Sequence, residues 1–202
     1  RPRDWSSDVC SSDLVKSIKE LIALARAKPG QLNYASAGSG NATHLAGELF
    51  SSKTNTKLVH VPYKGSGPAL NDVVGGQVQL MFCNLTAAMP QVKNGRIRAL
   101  AVTGAKRAAA APEIPTVIEA GVPGYTVVSW FGVLVPAGTP RDIVMRLNAD
   151  LARTMQATDV RDRLAGDGAE PLTGTPEQFG AFIRAEIAQW TKVIKDAGVV
   201  PE

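Results

Sequence analysis

Side chains that hold metals or move electrons are scarce in this 202-residue chain, which contains two cysteines and two histidines. Cys10 lies within residues 1–14, a stretch with neither helical nor alternating periodicity, so Cys83 stands alone in the rest and no intrachain disulfide can form there. Cysteine usage therefore leaves the compartment open. No His/Cys/Asp grouping has metal-ligand spacing, and Cys83 has no neighbouring base, so neither an enzyme, a cofactor nor a bound metal is indicated. No apolar run approaches the roughly 18 residues of a membrane span, and no segment has the basic start and apolar middle of a signal peptide. GxGxxG and the P-loop are absent too, so no nucleotide is implied.

Charge is also unremarkable, with 22 Lys and Arg against 18 Asp and Glu. Residues 1–14 hold two of the basic and three of the acidic side chains, which leaves 20 against 15, a net of +5, in the remainder. That excess is scattered over helix faces without interleaved aromatics, which excludes a nucleic-acid surface and weakly suits an anionic small ligand. With 45% hydrophobic and 20% charged residues, the chain is long enough for one large or two small domains.

What is present is organised around residues 32–45. The β-prone run 32–35 enters a loop of small residues, Ser36-Ala37-Gly38-Ser39-Gly40, and leaves through the N-cap Asn41 into an amphipathic segment with Ala42, Leu45, Ala46, Leu49 and Phe50 on one face. The first N–H groups of a helix have no internal partner and sit at the positive end of its dipole, so such a loop suits a carboxylate or phosphate. The plainer reading is that Gly38 and Gly40 only permit a tight turn.

Along the chain, a capping box at 17–20 opens a helix that Pro29-Gly30 stops. Strands are expected at 32–36, 58–62, 78–82 and 97–102, with helices at 42–53, 68–75 and 86–94 between them. This alternation means a mostly parallel sheet covered on both faces. In such sheets ligands gather beyond the carboxyl ends of the strands, where 36–43, 63–67 and 83–86 all fall. Pro68 fits the first position of its helix. Thr116 and Glu119 suggest a short capped helix, and the β-branched, aromatic run 125–135 suggests a long strand crossing between domains. Helices follow at 140–156, 159–166 and 176–197, with one short strand candidate at 170–173. Phe179, Phe182, Ile183, Ile187, Trp190 and Ile194 recur at helical spacing, which reads as core packing.

The loop at 36–44, Val59-His60-Val61-Pro62-Tyr63-Lys64-Gly65, Phe82-Cys83-Asn84, Trp130-Phe131-Gly132 and Pro136-Ala137-Gly138-Thr139-Pro140 together resemble the Bug family of solute-binding proteins. The resemblance runs from about Val15 to Glu202. It implies a periplasmic-binding-protein-like (type II) α/β architecture of two domains. One domain would be largely complete, with residues 15–130 forming the second, ligand-binding domain. The other would be represented by its C-terminal helices, with 131–202 supplying the crossing strand and those helices. It also implies a periplasmic protein that captures a small carboxylate and delivers it to the membrane permease of a tripartite tricarboxylate transporter, without inserting into the membrane. The alternative is the ligand-sensing effector domain of a transcriptional regulator, which uses a similar architecture.

By the same resemblance the chain is expected to be truncated, lacking a signal peptide and the strands of its first domain. Asp4 to Leu14 resembles the translation of a sequencing-adaptor oligonucleotide, so residues 1–14 are read as a non-native leader; a natural disordered leader is the other possibility.

The ligand-binding residues implied by the resemblance are Ser36, Ala37, Gly38, Gly40, Thr43 and His44, gripping a carboxylate largely through backbone groups and ordered water. Tyr63 would add a hydroxyl and a wall, and half-buried packing is its other reading. His44 lies in the first turn of its helix, where the dipole favours the neutral ring, and it serves either the ligand or the helix end. Trp130 either lines the cleft or packs in a core. Cys83 stands where many relatives carry an acidic residue able to pair with a ligand ammonium, so a plain carboxylate is expected over an amino acid. His60, alternating with Val59 and Val61, is expected to be structural, and Lys64 a solvated rim charge.

Overall fold

The computed structural model describes residues 15–166 and 169–199; the leader 1–14 lies outside them. Helix α1 (Ile18–Ala27) starts where the Ser17 hydroxyl accepts the Glu20 N–H at 3.2 Å and the Glu20 carboxylate accepts the Lys16 N–H at 2.7 Å. Then follow β1 (Leu32–Ser36), α2 (Ala42–Thr54), β2 (Leu58–Pro62), α3 (Ser66–Val74), β3 (Leu80–Met81) and α4 (Leu85–Lys93). The strands form a parallel sheet in the order β2-β1-β3, so β1 is central and the loops after all three strands leave from one edge.

Register decides which side chains meet. Tyr34 pairs with His60 and Ser36 with Pro62 on one face, whereas Ala35 pairs with Val61 on the other. On the Ala35 face, Ala69 and Val78 close a small core with Val61, Val73 and Met81 around it. On the Tyr34 face, Phe82 meets the Tyr34 ring edge-on at 6.0 Å, and Phe50 lies between Phe82 at 5.7 Å and Tyr125 at 6.0 Å. Tyr34, Phe50 and Tyr125 are fully buried, and enclosing such a ring is worth roughly 3 kcal/mol. Gly47 makes this packing possible, because a Cβ there would fall inside the Tyr34 ring.

Several expected elements are shorter or absent. The third strand contracts from 78–82 to Leu80–Met81, and 97–102 keeps only one bridge, Val102 to Thr116. Thr116 and Glu119 do exchange capping bonds of 2.8 and 3.0 Å, yet the chain turns at Gly121 without completing a helix. Helix α3 begins at Ser66, which puts Pro68 third and not first. Neither 125–135 nor 170–173 forms a strand. A strand exists only where a neighbour accepts its backbone groups, and residues 128–135 make no backbone hydrogen bond among the described residues.

The chain separates into two compact units: one runs to Ser129 and resumes at Val193, the other is Trp130–Lys192. The second unit holds α5 (Arg141–Thr154), α6 (Thr158–Gly166) and most of α7 (Pro176–Ala197). Thr175 and Gln178 cap α7 reciprocally at 2.9 and 3.2 Å. No residue of α5 or α7 is buried, against the expected core packing, and Ile187 is 61% exposed. The described residues of this unit include no strand for those apolar faces to cover.

Candidate functional site

The site grows from the carboxyl end of β1. Asn41 caps α2, its side-chain oxygen accepting the Thr43 N–H at 3.1 Å, and the loop between β1 and α2 folds on its own side chains. The Ala37 N–H donates to Thr43 Oγ1 at 2.8 Å, the Gly38 N–H to Ser36 Oγ at 3.2 Å, and the Gly40 N–H to His44 Nδ1 at 3.0 Å. Three backbone donors of the loop thus end on hydroxyl or imidazole acceptors at the end of β1 and in the first turn of α2. Gly40 has a positive φ of 73°, a conformation that keeps a side chain off this position.

Because Nδ1 of His44 accepts from Gly40, the proton of the neutral ring is on Nε2, which lies 3.6 Å from Glu48 Oε1, one helical turn on. The same oxygen accepts the Tyr34 hydroxyl at 2.6 Å. Burial pushes the Glu48 carboxyl up, but polar contacts from His44 and Tyr34 and the charges of His44 and His60 outweigh it and hold it below its ordinary range. Burial and the neighbouring Glu48 push the Tyr34 hydroxyl up, so it stays a donor.

His60, expected to be structural on a sheet face, packs on that face within the cluster behind the loop. Its ring lies on that of His44, centroids 3.7 Å apart and planes within 8°, and its Nε2 is 2.6 Å from Ser36 Oγ. It belongs to the loop's cluster because β2 pairs with β1 in a register that sets His60 beside Tyr34, under α2. Sequence reasoning passed over Glu48 and Tyr34, and it did not place His60 beside the loop. The four-residue spacing of His44 and Glu48 was the one local signal for any of them.

Tyr63 follows β2 and donates its N–H to Ser36 O at 3.1 Å, while Gly65 donates to Ala37 O at 3.1 Å, so this loop is tied to the first. The Tyr63 hydroxyl donates to Asp72 Oδ2 at 2.7 Å; burial and then Asp72 push it up to about 12. Cys83 follows β3 at the same edge, half-buried, and burial pushes its thiol up to about 11, which keeps it neutral at pH 7. Trp130 belongs to the other unit. There its ring packs edge-on against Phe179 and Phe182 at 5.7 and 5.3 Å, and its indole N–H donates to Glu186 at 3.1 Å, as does that of Trp190. Among the described residues no group of His, Cys, Asp and Glu could hold a metal, and no helix is long and apolar enough to cross a membrane.

A family described as the tripartite tricarboxylate transporter family receptor, TctC, matches residues 9–199. The chain belongs to this receptor family. A relative in Pseudomonas sp. strain P51, the UPF0065 protein in the tcbD-tcbE intergenic region, is 41% identical over 89% of the chain and 54% of its own length. Among solved structures, R. palustris Rpa4515 with adipate superposes with a TM-score of 0.86 at 43% identity, covering 95% of this chain and 64% of that one. The periplasmic binding protein BugD gives 0.79 at 34% identity, over 93% and 64%. MatC of Rhodopseudomonas palustris with bound malate gives 0.76 at 34% identity, over 89% and 62%. The chain thus spans about half the length of that Pseudomonas relative and just under two thirds of these structures. Family and neighbours are solute-binding proteins and not enzymes, and the α/β fold is theirs.

Proposed function

We propose that this chain binds a small organic carboxylate in the periplasm at the loop 36–44 and passes it to the permease of a tripartite tricarboxylate transporter. The observation that carries this reading is the loop itself. Three N–H groups of the loop that leads into α2, those of Ala37, Gly38 and Gly40, end on weak side-chain acceptors that a stronger one can replace. A carboxylate oxygen accepts about twice as strongly as a neutral group. On its arrival Thr43 and Ser36 would turn their hydroxyls to donate to it. Adipate and malate in two of the similar structures agree with this chemistry. Tyr63 would wall the site. Neutral Cys83 offers no anion to a ligand ammonium, which favours a carboxylate without an amine. Residues 15–130 would be the ligand-binding domain.

The experiment is a calorimetric titration of the chain with adipate, malate and the matching diamides. Acids that bind where amides do not support the reading. Equal heats from acid and amide, or none from either, would refute it.

A further inference from the structure

Four side chains from three elements form a line that ends on the loop. Tyr34 of β1 is locked by packing on Gly47 and donates to Glu48 Oε1 at 2.6 Å. Glu48 of α2 faces His44 Nε2 at 3.6 Å, and His44 Nδ1 takes the Gly40 N–H at 3.0 Å. From β2, His60 covers the far face of the His44 ring. The ring is therefore held in its plane by the stack and fixed against rotation by unlike groups at its two nitrogens. Moving the proton from Nε2 to Nδ1 would set a bare nitrogen against the Glu48 carboxylate and a proton against the Gly40 N–H, which is two repulsions in place of two attractions.

We propose that Glu48 is a positioning residue for the loop 36–44, acting through His44: its carboxylate keeps the Nε2 proton on the helix side and so leaves Nδ1 to hold Gly40. This rests on the reading of the loop as a carboxylate site, and places control of that site one helical turn behind it. Around the imidazole, Tyr34 from β1 and His60 from β2 lie against the ring, and Glu48 from α2 faces Nε2.

The test uses the full 202-residue chain labelled with 15N, with spectra recorded and adipate affinity measured at pH 8. At pH 8 His44 should show a protonated Nε2 and a bare Nδ1. In Glu48→Leu, which removes the acceptor, the other tautomer should appear, exchange of the Gly40 amide should quicken at least tenfold, and adipate affinity should fall about fivefold or more. Glu48→Gln keeps an acceptor at the same place, so it should hold the tautomer and the slow exchange of the Gly40 amide. A merely structural Glu48 would lower the melting temperature in Glu48→Leu and leave the tautomer alone, and that result overturns the proposal. Should Glu48→Leu fail to fold, a wild-type His44 with its proton on Nδ1 overturns it equally. If the wild type binds no carboxylate at all, the functional reading fails while the tautomer measurement still decides the role of Glu48.

Discussion

His44 and His60 lie face to face with their ring centroids 3.7 Å apart. The Glu48 carboxylate lies beside this pair, 3.6 Å from His44 Nε2. Because the folded Glu48 carboxyl is held below its ordinary value of about 4.5, it stabilises the fold above that pH, and the contribution is lost as pH falls through the lower folded value. Melting temperature plotted against pH should therefore fall on the acid side of about 4.5, and Glu48→Gln should flatten that slope. A variant slope as steep as that of the wild type would count against the cluster's electrostatics.

Gly47→Ala should be costly for a residue in mid-helix, where alanine ordinarily improves stability by about 1 kcal/mol. The added methyl would overlap the buried Tyr34 ring, and forced overpacking costs about 1–3 kcal/mol. Urea unfolding should show a net loss of up to about 2 kcal/mol; a stabilised variant would mean that Tyr34 does not sit on α2.

Thr43→Val should remove the hydroxyl that accepts the Ala37 N–H at 2.8 Å and that would turn toward a ligand. Loss of one such bond is worth about 1 kcal/mol, or roughly fivefold in affinity. Titration with adipate should show that loss. Unchanged affinity would take Thr43 out of the site.

Cys83→Asp should raise affinity for L-aspartate relative to succinate. The native thiol, pushed up to about 11 by burial, is neutral at pH 7 and has no charge to offer an ammonium group. Competition titrations of the two ligands give the ratio directly, and a constant ratio would place Cys83 outside the site.

The extended run 128–135 should make the chain self-associate. Phe131 is 94% exposed and Leu134 74%, and residues 128–135 make no backbone hydrogen bond among the described residues, which is how an aggregation-prone edge presents itself. Light scattering should report species larger than a monomer at micromolar concentration. Replacing Phe131 and Leu134 by lysine should shift them toward the monomer.

Local chemistry was enough to read much of this protein from its residues. The N-cap at Asn41, the boxes at Ser17-Glu20 and Thr175-Gln178, and strands β1 and β2 at their expected bounds depend on neighbours within a few positions, so sequence spacing reports them. The small-residue loop and its place beyond β1 were legible for the same reason, and the motifs that resembled the Bug family pointed to the receptor family that the comparisons show.

What required the tertiary structure was partnership across the chain. Whether the run 125–135 becomes a strand depends on a neighbouring edge, and its own β-propensity could not supply one. His60, 16 residues beyond His44, joins the loop only because parallel pairing sets it beside Tyr34 under α2. Sequence alternation put His60 on a sheet face, and only strand register and helix packing could say that the face was this one.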